Sequence, residues 1–268
     1  MSYQVPGATS PDEMTCYYGN SRLPVRGPRR DLDARYVACL GGTETFGRFV
    51  TAPYSELLER KLKRKSVNLG GVNCGLDAWL GDPDLIDIAK GAELCVLQLP
   101  ALQQLSNRFY RVHPRRNDRF LRASDGLQAL YPDVDFTEFH FTGHLMRHLQ
   151  AADAERFETI KTELERAWLN RMQHLISVLD TNVVLLRLQI ETEDMIGDPA
   201  PVSAGMLARI APQAQAVLDI PVRPAGQSME LGDMIFGTLQ QPAAEHMLGP
   251  ATHQVIADRL TRTIRDLD

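Results

Sequence analysis

Short apolar runs alternate with stretches of helical spacing along most of the chain. Residues 36–40 (Tyr-Val-Ala-Cys-Leu) form the first apolar run and predict a strand. Residues 55–63 place Leu57, Leu58 and Leu62 at helical spacing. A second strand is expected at 66–69. Asp82 and Pro83 then open a helix through Leu85, Ile86, Ile88 and Ala89, with Asp82 as its cap and Pro83 in its first position. Residues 93–99 are nearly continuous in apolar character, as a strand buried on both faces should be. A long helix is expected at 154–179, with Phe157, Ile160, Leu164, Ala167, Trp168, Leu175 and Val178 on one broad face. A fourth strand at 182–188, a helix at 203–217, a fifth strand at 216–222 and a closing helix at 252–267 complete the pattern.

Regular strand–helix alternation implies parallel strands joined by helical crossovers. The expected fold is therefore α/β: a three-layer α/β/α sandwich around a central parallel sheet, flavodoxin-like, with the first strand central. Residues 1–35, rich in Pro, Gly and Arg, read as an irregular lead-in packed on a single domain spanning 36–268. Residues 100–153 interrupt the alternation with a polar, Arg- and aromatic-rich insertion.

At 268 residues and 44% hydrophobic, the chain can bury a sizeable core. A formal charge of -5 argues against general affinity for nucleic acid or membranes. The N-terminal residues lack a basic region followed by an apolar one, and the four cysteines are scattered. Both features fit a cytoplasmic protein with reduced thiols.

Candidate chemistry concentrates where the first strand ends. Gly41-Gly42-Thr43-Glu44-Thr45-Phe46-Gly47 reads as strand, tight turn and helix start. In an open parallel sheet that is where ligands bind, and a hydroxyl there is placed as a nucleophile or anion donor. The segment lacks the Lys-Ser/Thr ending of a phosphate loop and lacks Gly-x-Gly-x-x-Gly, so a nucleotide hydrolase and a dinucleotide binder are discounted.

The order of these segments resembles the SGNH (GDSL-like) hydrolase superfamily over roughly residues 36–268. Gly41 to Gly47 lies over that family's first block, Gly-Asp-Ser-x-Thr-x-Gly. Asn68 to Gly75 looks like the second, Pro100 to Asn107 lies where the third belongs, and Ala243-Ala244-Glu245-His246 where Asp-x-x-His belongs. The middle segment also looks like a family of uncharacterised α-proteobacterial proteins. The superfamily resemblance implies an esterase or acyl-transferase. Thr43 would be the nucleophile, His253 or His246 the base with Glu245 beside it, and Gly42, Gly70, Gly75, Gln103 and Asn107 the oxyanion and substrate donors. The departures are that Thr43 replaces serine, Gly42 and Ala243 replace the aspartates, and Pro100 replaces glycine. They favour the alternative, a catalytically inactive member that binds an acidic ligand or a protein partner.

The insertion supplies a binding surface for that alternative. Arg108, Arg111, Arg115 and Arg116 follow the third strand and suit carboxylate, sulfate or phosphate. The competing reading is that these arginines pair with carboxylates and glue the insertion down. His140, His144 and His148 are spaced four apart, which on one helix would put them on one face. Without a His-Glu-x-x-His motif, that row predicts an amphipathic helix and no metal site. No cofactor is expected, and a protein partner or homo-oligomer is compatible with the sequence.

Overall fold

The structure, a computed structural model, describes residues 14–191 and 197–268. The first 13 residues of the expected lead-in lie outside the described residues. The lead-in proper contributes two short antiparallel strands, β1 (Thr15–Cys16) and β2 (Val25–Arg26).

The main sheet has five parallel strands: β3 (Tyr36–Gly41), β4 (Lys65–Gly70), β5 (Leu94–Gln98), β8 (Val183–Ile190) and β9 (Ala216–Val222). Their order is β4-β3-β5-β8-β9. All neighbours are parallel, as the sequence pattern predicts. The middle strand is β5, not the first strand β3, because two strands, β8 and β9, join beyond β5. Pro221 is accommodated because β9 is an edge strand.

Between β3 and β5 lie α1 (Thr43–Phe46), α2 (Tyr54–Leu62), α3 (Leu76–Leu80) and α4 (Pro83–Lys90). Asp82 caps α4 by accepting from Leu85 N–H at 3.2 Å. The insertion folds as an antiparallel hairpin, β6 (Tyr110–Val112) and β7 (Phe120–Ala123), followed by α5 (Asp125–Leu130) and α6 (Thr142–Ala152). Then come α7 (Ala154–Leu179) and α8 (Ala204–Ile210). The helix expected over 203–217 thus ends seven residues early, because the chain must reach β9. Two four-residue helices, α9 (Ala225–Ser228) and α10 (Gln241–Ala244), precede α11 (Pro250–Leu267).

Alternate strand residues face two cores, which makes the three layers explicit. Ala38, Leu40, Val67, Leu69, Cys95 and Leu97 pack with Trp79, Leu85 and the long apolar face of α7. Val37, Cys39, Val96, Val184 and Leu218 pack with Tyr54 and Leu58 of α2 and with Ile256, Leu260 and Ile264 of α11. The insertion joins the first core through Tyr110, Phe120, Leu145 and Leu149.

Candidate ligand site at the carboxyl edge of the sheet

From β3 the chain crosses outward to β4 and then back past β3 to β5. The strand order therefore reverses between β3 and β5, and the crevice at the carboxyl ends of such strands is where open sheets take ligands. Two polar clusters meet there, one buried and one open.

Gln98, the last residue of β5, centres the buried cluster. Its Oε1 accepts from Gly42 N–H at 3.1 Å, Thr45 N–H at 3.2 Å and Thr45 Oγ1–H at 2.5 Å. Thr45 Oγ1 lies 2.9 Å from the Tyr54 hydroxyl. With the threonine proton committed to Gln98, Tyr54 is the donor in that pair. His253, at the start of α11, accepts from Tyr54 N–H on Nδ1 at 3.1 Å and stacks on the Tyr54 ring at 6.0 Å. Burial, reinforced by the nearby Arg26 charge and opposed by Glu230, lowers the His253 pKa to about 4. The imidazole is neutral at pH 7.

Two glycines make this closeness possible. A Cβ on Gly41 would stand 1.9 Å from Thr45 Oγ1 and 2.5 Å from Gln98 Oε1, and one on Gly70 would stand 2.3 Å from Phe46 N. The glycines thus bring α1 and the Gln98 amide against the strand ends, not a ligand.

The open cluster begins at Thr43, two residues before Thr45. Thr43 Oγ1 donates to Asn73 Oδ1 at 3.2 Å and accepts from Asn73 N–H at 3.0 Å. Asn73 holds φ +60°, a left-handed conformation that asparagine tolerates. Its Nδ2 has no partner among the described residues. Glu44 Oε2 accepts from Gln98 Nε2 at 2.7 Å, and its other oxygen is likewise without a partner among the described residues.

Arginines rim this cluster. Asn117, fully buried, donates its N–H to Asn73 O at 2.8 Å, accepts from Ala78 N–H at 3.1 Å and donates to His113 O at 3.0 Å. The Cys74 thiol donates to Arg115 O at 3.4 Å. These bonds fasten the exposed Arg115–Arg116 turn to the Asn73–Cys74 turn that holds Thr43. From the other side, Arg26 donates to the carbonyls of Phe46, Gly47, Val50 and Thr51, fixing the segment that carries Arg48. Burial and the neighbouring Arg116 charge both lower the Arg48 pKa. Neither Arg48 nor Arg116 forms an ion pair among the described residues.

Several expected roles need correcting. Thr43 bonds only to Asn73 among the described residues, and neither histidine reaches it by a hydrogen bond. The Nδ1 lone pair of His253 is occupied and the ring is buried among α2 and α11, because its spacing to Ile256, Ala257 and Leu260 puts it on the apolar face of α11. His246 is exposed, and Glu245 accepts from Gln241 rather than orienting a histidine. The Gly42 amide is taken by Gln98 and the Gly70 amide by Asn68 Oδ1 at 2.8 Å, so neither is a free oxyanion donor. Asn107 organises the entry to β6, accepting from Phe109 and Tyr110 N–H. Arg108 is drawn to the buried Glu163 of α7 at 3.6 Å and lies over the Phe109 ring, so it belongs to the glue reading. Gly75 packs against Asn117 and Gln104, where a Cβ would sit 3.0 Å from each. Gln103 keeps a buried Oε1 without a partner among the described residues.

His144 and His148 do share a face of α6, but both rings flank Phe139, at 5.0 and 4.9 Å, and His140 precedes the helix. Among the described residues no three or more His, Cys, Asp or Glu side chains converge as a metal cage would require. No described helix is long and apolar enough to cross a membrane.

Glu44, Arg48, Asn73 and Gln98 were not among the expected site residues. A lone amide ending an apolar strand, and an arginine embedded between Phe46 and Phe49, were the signals that mark two of them.

A family model matches residues 1–268 throughout. The chain belongs to the family described as a domain of unknown function, DUF6473. That membership carries no activity and does not bear on an α-proteobacterial origin. No curated protein matches the sequence. Among solved structures the chain is similar to the lipase Lip_vut3 from a goat rumen metagenome, at 12% identity and TM-score 0.46, over 86% of this chain and 97% of that one. It is similar to a family two carbohydrate esterase from Clostridium thermocellum, at 12% identity and TM-score 0.44, over 91% and 66%. A lipase/acylhydrolase from Enterococcus faecalis is similar at 9% identity and TM-score 0.43, over 87% and 96%. At such identities and TM-scores no activity passes from these proteins to this chain.

Proposed function

We propose that this protein binds a small anionic group at the carboxyl edge of its sheet, held by Arg48, Arg115 and Arg116 above a floor of Thr43 and Asn73. The observation that carries this reading is the pair Arg48 and Arg116. The two guanidinium groups stand close enough to repel each other, and neither forms an ion pair among the described residues, the carboxylate charge near Arg116 being that of the half-buried Asp118. Such an arrangement stores unfavourable charge that an anion relieves through charge-assisted hydrogen bonds. The unpaired Asn73 Nδ2 supplies a further donor to the anion, whereas the free Glu44 oxygen can only accept and so suits a hydroxyl of the same ligand.

The SGNH-like order of motifs supports a second reading, ester cleavage, on one geometric ground. The Thr43 hydroxyl does stand at the carboxyl end of β3, beside the switch point. A nucleophile there needs a base, and its one proton goes to the side-chain Oδ1 of Asn73 instead. Binding without turnover is therefore the favoured reading.

Thermal-shift titration with phosphate, sulfate and simple carboxylates tests it. A binding anion at a hundred times its dissociation constant stabilises by about 2.7 kcal/mol, roughly 5–10 °C in a domain of this size. The shift should vanish in Arg116→Ala and Arg48→Ala. A panel of short-chain aryl esters tested alongside decides the second reading: turnover that is lost in Thr43→Ala would replace binding by catalysis.

A further inference from the structure

The hairpin β6–β7 carries its own unneutralised charge. Arg111 and Arg122 are register partners across the two strands, directly opposite each other. Both side chains are exposed, and neither forms an ion pair among the described residues. Like charges opposite one another destabilise a strand pair, so this placement works against the hairpin's own stability. The same hairpin leads straight into the turn that presents Arg115 and Arg116 to the crevice. Four positive charges thus run from the crevice mouth along one ribbon, further than a single small anion can reach.

Resting on the anion-binding reading above, we infer that the natural ligand is an acidic polysaccharide, with one acidic group in the crevice and later ones on Arg111 and Arg122. The crevice favours a hydroxylated chain over a nucleic acid. Among the described residues Glu44 keeps one acceptor oxygen and Asn73 one donor nitrogen without a partner, the complement that hydroxyl groups, which both donate and accept, require. Base stacking needs exposed aromatic faces. The hairpin's aromatics, Tyr110 and Phe120, are buried at 1% and 7% exposure. The exposed Phe141 beside it is covered by the Arg119 guanidinium at 4.5 Å. Linked acidic groups bound at linked sites gain affinity through effective concentration.

Calorimetric titration with D-galacturonate and with its tetramer tests the inference. The tetramer should bind the unmodified protein at least tenfold more tightly than the monomer. The double variant Arg111→Ser, Arg122→Ser should lose that gain, keep the affinity for monomer, and melt no lower than the parent because a repulsion is removed. Equal affinities for monomer and tetramer, or a gain that survives in the double variant, would overturn the inference. So would tighter binding of a tetrathymidylate than of the tetramer. Monomer binding unaffected by Arg116→Ala would instead overturn the crevice reading, leaving the hairpin result to stand or fall on the double variant.

Discussion

The two polar clusters at the end of β3 differ in how their groups are paired, although one residue separates them. In the inner cluster, Gln98, Thr45, Tyr54 and His253 satisfy one another at 2.5 to 3.2 Å. In the outer cluster, Asn73 and Glu44 each keep a polar atom without a partner among the described residues, and Arg48, stacked on Phe49, and Arg116 form no ion pair there. Buried polar groups must be paired to be tolerated, whereas unpaired ones at an opening are available to a ligand. Position in a motif therefore does not decide a residue's role. The histidine best placed by sequence for catalysis belongs to the closed cluster, and arginines outside the motif line the open one.

Breaking the inner cluster should act on stability, most strongly at its centre. Gln98→Ala leaves two amides and a hydroxyl without their acceptor, and is expected to cost about 3 kcal/mol or more, read from the denaturant midpoint. A loss under about 1 kcal/mol would mean that these donors are not held by Gln98.

His253 makes the same cluster sensitive to acid. Its pKa is depressed in the folded protein, so the unfolded chain binds more protons between its usual value of about 6.5 and the folded value of about 4. Stability is full above the upper value and is lost as pH falls through that window, by about 3 kcal/mol. His253→Gln should flatten this part of the stability–pH profile. Retention of the full slope in the variant would place the titrating group elsewhere.

Thr43 belongs to the outer cluster, and its removal should matter least to the fold. Thr43→Ala forfeits a half-exposed pair of hydrogen bonds and is expected to cost about 1 kcal/mol, while Thr43→Ser keeps both bonds. A loss as large as that of Gln98→Ala would erase the distinction between the clusters.

The sequence pattern reaches the sheet and its helices because apolar spacing reflects burial directly. Residues 154–179 and 216–222 coincide with α7 and β9, and the Asp82–Pro83 start of α4 is set by local capping chemistry. The insertion was legible only as a break in rhythm, since a hairpin of three and four residues is shorter than any periodicity window. The inner cluster was hidden for another reason. Gln98 and Thr45 lie 53 positions apart, and only the closed sheet makes one satisfy the other. The burial of His253 was readable, because Ile256, Ala257, Leu260 and Ile264 follow it at helical spacing on one face. Arg48 acquires meaning only when the insertion folds back to bring the Arg116 charge near it.

On the proposed reading the open cluster, not the closed one, meets the ligand. Calorimetric titration of D-galacturonate into the unmodified protein, Arg48→Ala, Arg116→Ala and His253→Gln at neutral pH and low salt tests it most directly. Saturable binding to the unmodified protein, an affinity at least tenfold weaker in each arginine variant, and an unchanged affinity in folded His253→Gln are expected. Binding that survives both arginine substitutions but disappears with His253→Gln would contradict it.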